Sequence, residues 1–342
     1  MRILIIGGTR FIGPYVVRNL TGAGHSVTLF HRGQTVGDLP GGVKQIHGDR
    51  RDLSSFAAEL KMAAPDVVLD MIPYTEEEAR TLVRVFKGVA GRLVAISSSD
   101  VYRAYGRLLR LEEGVPDPVP LNEDAPLRES LYPHRAHSQG PEDFKYHYDK
   151  ILVERVLMNE AELPATVLRF PVVYGPNDPQ HRLYGYLKRM DDRRSVILLE
   201  ERMARWLWTR GYVENVAEAI TLAVTDERAA NRIYNVGESE TLREAEWVRA
   251  IGRAAEWDGD VITLPGDSLP EHLSSNADYE HHIATDTTRI RAELGYTERI
   301  SREEALKRTV RWERANPPEE QFPTQAEYAA EDAVLKRMRG HD

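Results

Sequence analysis

Tyr146 and Lys150 lie four residues apart in a stretch, Asp143–Met158, whose pattern predicts one helix. At that spacing the two side chains share a helix face. An ammonium beside a phenol favours the phenolate and lowers its pKa. A tyrosine tuned in this way can pass a proton to and from a carbinol or carbonyl oxygen. Such chemistry also needs a hydroxyl donor to hold that oxygen. Ser97-Ser98-Ser99 closes an apolar run, Arg92–Ile96, that reads as a strand, and supplies one. The spacing alone is weak, because the chain has 15 tyrosines and a second pair, Tyr184-x-x-x-Lys188. That second pair falls beyond the strand read at Ala165–Phe170. Tyr146 precedes that strand, on the helix that feeds it, so Tyr146 and Lys150 are the candidate pair.

A proton moved at a carbinol is useful when hydride moves with it, which requires a nicotinamide dinucleotide. Gly7-Gly8-Thr9-Arg10-Phe11-Ile12-Gly13 follows the first predicted strand, Arg2–Ile6, and opens the first predicted helix, Phe11–Thr21. Gly7 permits a tight turn, and Gly13 lets helix and strand pack closely. The helix N-terminus then offers free N–H groups to a pyrophosphate. Gly7, Thr9, Arg10, Phe11, Ile12 and Gly13 are the candidate cradle. The second strand ends in Phe30-His31-Arg32-Gly33, with no carboxylate to hold a ribose 2′-hydroxyl. Arg32, with Arg10, suits a 2′-phosphate, so NADP is the expected cofactor and NAD the alternative. The bland alternative is that both arginines face solvent. In Gly48-Asp49-Arg50, Asp49 either accepts from the adenine amino group or is an ordinary turn aspartate.

Short β-branched runs at Arg2–Ile6, Ser26–Phe30, Val43–Ile46, Asp66–Leu69 and Arg92–Ile96 alternate with helical patterns at Phe11–Thr21, Leu53–Met62, Glu76–Phe86 and Asp143–Met158. Alternation with continuously apolar strands predicts a parallel sheet covered on both faces. The expected architecture is α/β, a doubly wound parallel sheet of the Rossmann type with a smaller C-terminal substrate lobe. Residues 1–176 form the dinucleotide-binding domain in this reading. Residues 177–315 form mainly the substrate lobe, with segments returning to the main sheet, and 316–342 a charged tail that packs late or frays. Gly106–Pro133, rich in proline and acid, reads as a long loop of the kind that is functional or mobile.

Of the 342 residues, 42% are hydrophobic and 29% charged, as in a globular protein. A net charge of −9 argues against nucleic acid as the main partner. With no cysteine, the chain has neither disulfides nor thiolate metal sites and suits a reducing, cytoplasmic setting. No apolar run is long enough for a membrane span. The scattered histidines lack metal-ligand spacing, so no metal is expected. Ser98 lacks the Gly-x-Ser-x-Gly elbow of a hydrolase.

Taken in order, these motifs resemble the NAD-dependent epimerase/dehydratase family, the extended short-chain dehydrogenase/reductases. The likeness runs to about residue 314. It also takes in Ser97-Ser98-x-x-Val101-Tyr102, Leu168-Arg169, Val173-Tyr174-Gly175-Pro176, Tyr234-Asn235-Val236-Gly237 and Asp286-Thr287. The resemblance implies that Ser98 is the catalytic hydroxyl, Tyr146 the acid/base, and Lys150 its partner and a ligand of the nicotinamide ribose. It places Pro171 and Val173 against the nicotinamide. It implies a nucleotide-linked sugar as substrate, and a homodimer paired through the helix of Tyr146. Where the dehydratase branch has an acid pair, this chain has Ser99 and Asp100, one carboxylate only. Trp208 stands where an arginine would meet a substrate diphosphate, with Arg205 or Arg210 as substitutes. Asn177, directly after the Tyr-Gly-Pro motif, is a further substrate contact. Arg10 replaces a family glycine, and the turn is similar to that of chloroplast stem-loop-binding proteins.

Three functions follow. The first is an NAD(P)-dependent epimerase or oxidoreductase acting on a sugar, nucleotide-linked in the first instance. The second is an NADPH-dependent reductase of a smaller carbonyl compound, favoured by Arg10, Arg32 and Trp208. The third is a non-catalytic relative that senses nucleotides or binds RNA.

Overall fold

A computed structural model of the chain describes residues 1–35, 39–320 and 322–339. Eleven strands and thirteen α-helices follow one another among those residues. The first half holds β1 (Arg2–Ile6), α1 (Gly13–Gly22), β2 (Ser26–His31), β3 (Lys44–His47), α2 (Ala57–Met62), β4 (Val67–Asp70), α3 (Glu76–Phe86), β5 (Arg92–Ser98) and α4 (Arg103–Leu108). After a long connection come α5 (Phe144–His147), α6 (Lys150–Met158), β6 (Ala165–Phe170) and β7 (Val172–Tyr174). The second half continues with α7 (Tyr184–Asp191), β8 (Val196–Glu200), α8 (Glu201–Arg205), β9 (Arg210–Tyr212), α9 (Val213–Thr225) and β10 (Arg232–Asn235). It closes with α10 (Glu244–Ala255), β11 (Asp260–Leu264), α11 (Thr288–Leu294), α12 (Arg302–Ala315) and α13 (Gln325–Arg339).

Seven strands form one parallel sheet in the order β10-β6-β5-β4-β1-β2-β3. Its apolar runs alternate between two buried faces, as the strand period of two dictates. Ile3, Ile5, Val27, Leu29, Val67 and Leu69 pack on one side against α1 and α9 through Val16, Leu20, Val216 and Ile220. Leu4, Ile6, Phe30, Val68 and Leu93 pack on the other against α3 and α6 through Leu82, Phe86, Val153 and Leu157. Each such side chain, fully buried, stabilises the fold by roughly 1.5–3 kcal/mol. The predicted α/β architecture is the observed one.

The strand order reverses around β1, so the carboxyl ends of β1 and β4 open a crevice. At that edge α3 starts on a capping box. The Glu78 N–H donates to Thr75 Oγ1 at 3.2 Å, and the Thr75 N–H donates to Glu78 Oε2 at 2.9 Å. In the second half β8 pairs with β11 and β7 with β9, while β10 joins the main sheet beside β6.

Two local expectations are corrected, and a third is specified. The helix predicted over Asp143–Met158 is two helices, α5 and α6. Tyr148 (ψ 120°) and Asp149 (φ −159°, ψ 110°) between them are extended. Tyr148 is the C-cap of the first helix and Asp149 the N-cap of the second, its carboxylate accepting from the Ile151 N–H at 2.9 Å. The loop predicted from Gly106 begins inside α4, and the rest is tied down by bridges Tyr102–Leu127 and Leu121–Thr285. The tail from 316, expected to pack late or fray, is partly helical. Its residues 325–339 form α13, held by Glu331 against Arg189 at 2.5 Å and His272 at 3.0 Å. Gln321 and residues 340–342 of that tail lie outside the described residues.

Candidate active site

The glycine turn leaves β1 with Gly7 at φ 90° and Gly8 at φ 85°, conformations that favour glycine. Gly13, the first residue of α1, lies so close to Gly8 that an added Cβ would stand 2.3 Å from its backbone. These contacts bring the N-terminus of α1 to the crevice. A cleft of about 600 Å³ opens there, running from Gly8–Ile12 past Arg32 and Asp49 to Tyr74 and Phe144. Its size and place suit a dinucleotide.

Four arginines line it, Arg10, Arg32, Arg50 and Arg51. Arg51 is taken by Asp49, which it holds down at a pKa of about 2 through side-chain hydrogen bonds. Arg50 is taken by Asp70 in a buried ion pair and lies near Glu78. Arg10 donates to Thr35 Oγ1 at 2.8 Å. Arg10 and Arg32 form no ion pair among the described residues and remain available to an anion. Asp49 is already committed to Arg51, so its carboxylate reaches an adenine amino group only by sharing.

Ser98 sits at the carboxyl end of β5, in register with Phe170 at the end of β6. Its Oγ accepts from the Asp100 N–H at 3.2 Å. Lys150 opens α6, 4% exposed, and its Nζ donates to the Pro73 carbonyl at 2.8 Å and the Ile96 carbonyl at 2.9 Å. Burial lowers its pKa from 10.5 to about 8. The rings beside that ammonium belong to Tyr74, at 4.8 Å, and Tyr148, at 5.8 Å. Tyr146 is elsewhere, its ring against Arg135 and His147. The structure therefore joins Lys150 to the end of β5 but does not set Tyr146 on its face.

The Tyr148 hydroxyl donates to Asp100 Oδ2 at 2.6 Å. Burial, then the Asp100 charge, push that phenol well above its usual range and keep it protonated. Ser99 and Asp100 are both buried. Val173 is in the core, and Pro171 packs close to Gly211 and Gly237. Asn177 follows Gly175 in a left-handed conformation, φ 67°. The three substrate candidates of the second half separate. Arg210 is buried in an ion pair with Glu244 and lies over the Trp247 ring at 4.4 Å. Arg205 lines an open surface groove with Arg243 and Arg249. Trp208 packs on Trp206 in an aromatic cluster.

Sequence reasoning missed Tyr74, Asp70 and Tyr148 as neighbours of the site. A signal was present for Asp70, a charge that ends an apolar strand at the ligand edge of the sheet. Tyr148 carries no such signal, because a break in the helix brings it to Lys150.

A family model described as NAD dependent epimerase/dehydratase family matches residues 3–237. The chain is 32% identical to 2'-dehydrokanamycin reductase of Streptomyces kanamyceticus, over 80% of this chain and 72% of that protein. It is 25% identical to chloroplast stem-loop binding protein of 41 kDa b of Arabidopsis thaliana, over 69% of this chain and 58% of that protein. Among solved structures, UDP-glucose 4-epimerase of Thermus thermophilus, a complex with NAD, superposes with a TM-score of 0.64. It is 22% identical and the match covers 92% of this chain and all of that one, which shows a shared fold.

Proposed function

The chain belongs to the NAD dependent epimerase/dehydratase family, and we propose that it is an NAD(P)-dependent enzyme moving hydride to or from a sugar carbon. The observation that carries this reading is the cleft from the glycine turn to Tyr74, with Lys150 buried beside Tyr74 at its far end. A bound nicotinamide dinucleotide supplies or accepts hydride there. The turn from Gly7 to Gly13 holds its pyrophosphate, and Arg10 and Arg32 favour NADP over NAD.

Ser98 holds the substrate oxygen. Tyr146 takes or returns its proton, and Lys150 keeps the phenol acidic. For this Tyr146 must come over Lys150, which requires α5 and α6 to join through Tyr148 and Asp149. Tyr148 already stands there, but with its proton committed to Asp100 it serves as a donor and not as a base. The family's solved members support a nucleotide-linked sugar and an epimerase cycle. Net reduction of a carbonyl is favoured by the 2'-dehydrokanamycin reductase relative and by the burial of Arg210 against Glu244.

The test is mass spectrometry of what the purified protein releases on denaturation, followed by titration with NAD(H) and NADP(H). Retained NAD(H) supports the epimerase cycle. An empty chain that prefers NADPH supports the reductase. A chain that binds neither removes the enzyme reading and leaves the non-catalytic one.

A further inference from the structure

Asn177 and His181 both hold left-handed backbone, with φ 67° and 46°. Outside glycine that conformation is strained and persists only where the surroundings fix it. Between them Pro179, exposed, lines the same cleft as the glycine turn Gly8–Ile12. Three contacts hold this short segment. The buried Asp178 carboxylate accepts from the Gln180 N–H at 3.0 Å and from Arg182 Nη1. The His181 ring stacks on Trp312 of α12 at 5.4 Å. His181 Nδ1 lies 2.7 Å from Glu313 Oε2, also on α12. Glu313 is fully buried, and its other oxygen has no partner among the described residues. Burial raises its carboxyl above the ordinary range, and the His181 hydrogen bond draws it back. A buried carboxylate with one partner is costly to leave alone, so this pair ties the segment to α12.

Resting on the reading of the cleft as a dinucleotide site, we infer that residues 177–181 form a strap against the pyrophosphate and nicotinamide part of the ligand, and that His181 is the positioning residue that sets it. Arg32 and Asp49, the candidates for the adenine half, follow β2 and β3 on one flank of β1. The strap follows β7, which is reached from β6 on the other flank. Pro179 therefore meets the ligand from the side away from the adenine. His181 acts through the strap and does not itself touch the ligand. Its ring and Nδ1 are spent on Trp312 and Glu313. With the tie to Glu313 broken, the strained segment relaxes, and the ligand must order it again on binding. That ordering weakens affinity.

Calorimetric titration of the full chain with NADPH and NADH, and with the adenine halves 2′,5′-ADP and ADP, tests this. His181→Ala removes the tie. Pro179→Gly loosens the strap at an exposed residue, outside the core. Each variant should bind the dinucleotide that the parent prefers about 5- to 10-fold more weakly, the effect of one hydrogen bond. Each should bind the matching adenine half within about twofold of the parent, which a merely structural loss would not spare. His181→Gln keeps a side-chain donor for Glu313 and should recover most of the dinucleotide affinity. Equal losses for dinucleotide and half overturn the inference. So does unchanged dinucleotide affinity in either variant, or no recovery in His181→Gln. If His181→Ala does not fold, Pro179→Gly and His181→Gln still make the comparison. A parent that binds neither dinucleotide counts against the dinucleotide reading itself, and that result is read before any variant is made.

Discussion

Tyr146 and Lys150 stand four residues apart but on two different helices. Asp149, fully buried between them, accepts from the Ile151 N–H at 2.9 Å and the Tyr132 N–H at 2.6 Å, while its own N–H bonds to the Tyr74 carbonyl at 3.0 Å. The break is therefore held from three sides. A proton-transfer pair built from these two residues needs that hold to be released, whereas Lys150 itself needs no movement.

This separates two tyrosines experimentally. With Tyr146 as the acid/base, Tyr146→Phe should lower turnover by about 100-fold or more while NADPH affinity stays within twofold. Tyr148→Phe should cost only the hydrogen bond to Asp100 and leave most of the rate. Steady-state kinetics on both variants decide, and the reverse order of effects transfers the role to Tyr148.

Lys150 makes stability depend on pH. Its pKa in the folded chain is about 8, below the ordinary 10.5, because burial disfavours its charge. Between those values the unfolded chain holds the proton that the folded chain has lost, so this group's contribution rises with pH. Below pH 8 both states are charged and the full penalty is present. The drop corresponds to roughly 3 kcal/mol. Urea unfolding of the parent and Lys150→Met at pH 7.5, 9 and 10.5 should show the parent gaining on the variant as pH rises. A constant difference across that range would contradict the buried, depressed lysine.

Arg32, which has no ion pair among the described residues, predicts cofactor choice. Arg32→Ala should weaken NADPH about 10- to 100-fold, as expected for loss of a charge-assisted contact, and NADH about twofold or less. Fluorescence titration of both cofactors measures it. Equal losses would remove the 2′-phosphate assignment.

Two glycines of α1 give a contrast in packing. Gly13→Ala places a methyl 2.3 Å from the Gly8 backbone and should destabilise by about 3 kcal/mol. Gly22→Ala meets nothing within 4 Å and should be neutral or stabilising by up to ~1 kcal/mol. Thermal melts of the two variants should move in opposite directions or differ by many degrees.

The sheet and the glycine turn were legible because they rest on local rules. Apolar runs such as Ile3–Ile6 and Val67–Leu69 cannot be solvent-facing, and Gly7, Gly8 and Gly13 mark a turn that few other residues can make. The helix break before Lys150 was not legible. The run from Phe144 to Met158 has helical composition throughout, and it parts where Asp149 finds partners in Tyr74, Tyr132 and Arg128, all distant in sequence. The pairing of Arg210 with Glu244 was hidden for the same reason. A charge that looks free along the chain is free only when no distant acid closes on it.

The docking of α13 bears on how the chain is made. Arg189 meets Glu331 from 142 residues earlier in the chain. As synthesis proceeds from the N-terminus, α7 emerges with that guanidinium unpaired. It stays so until Glu331 has been made, 142 residues later. Strands β1–β6 of the main sheet are in hand long before that, whereas the contact of α7 with α13 forms last. A nascent chain halted ahead of α13 would leave Arg189, Arg194 and His272 without these acidic partners, beside a main sheet whose seven strands have all been made.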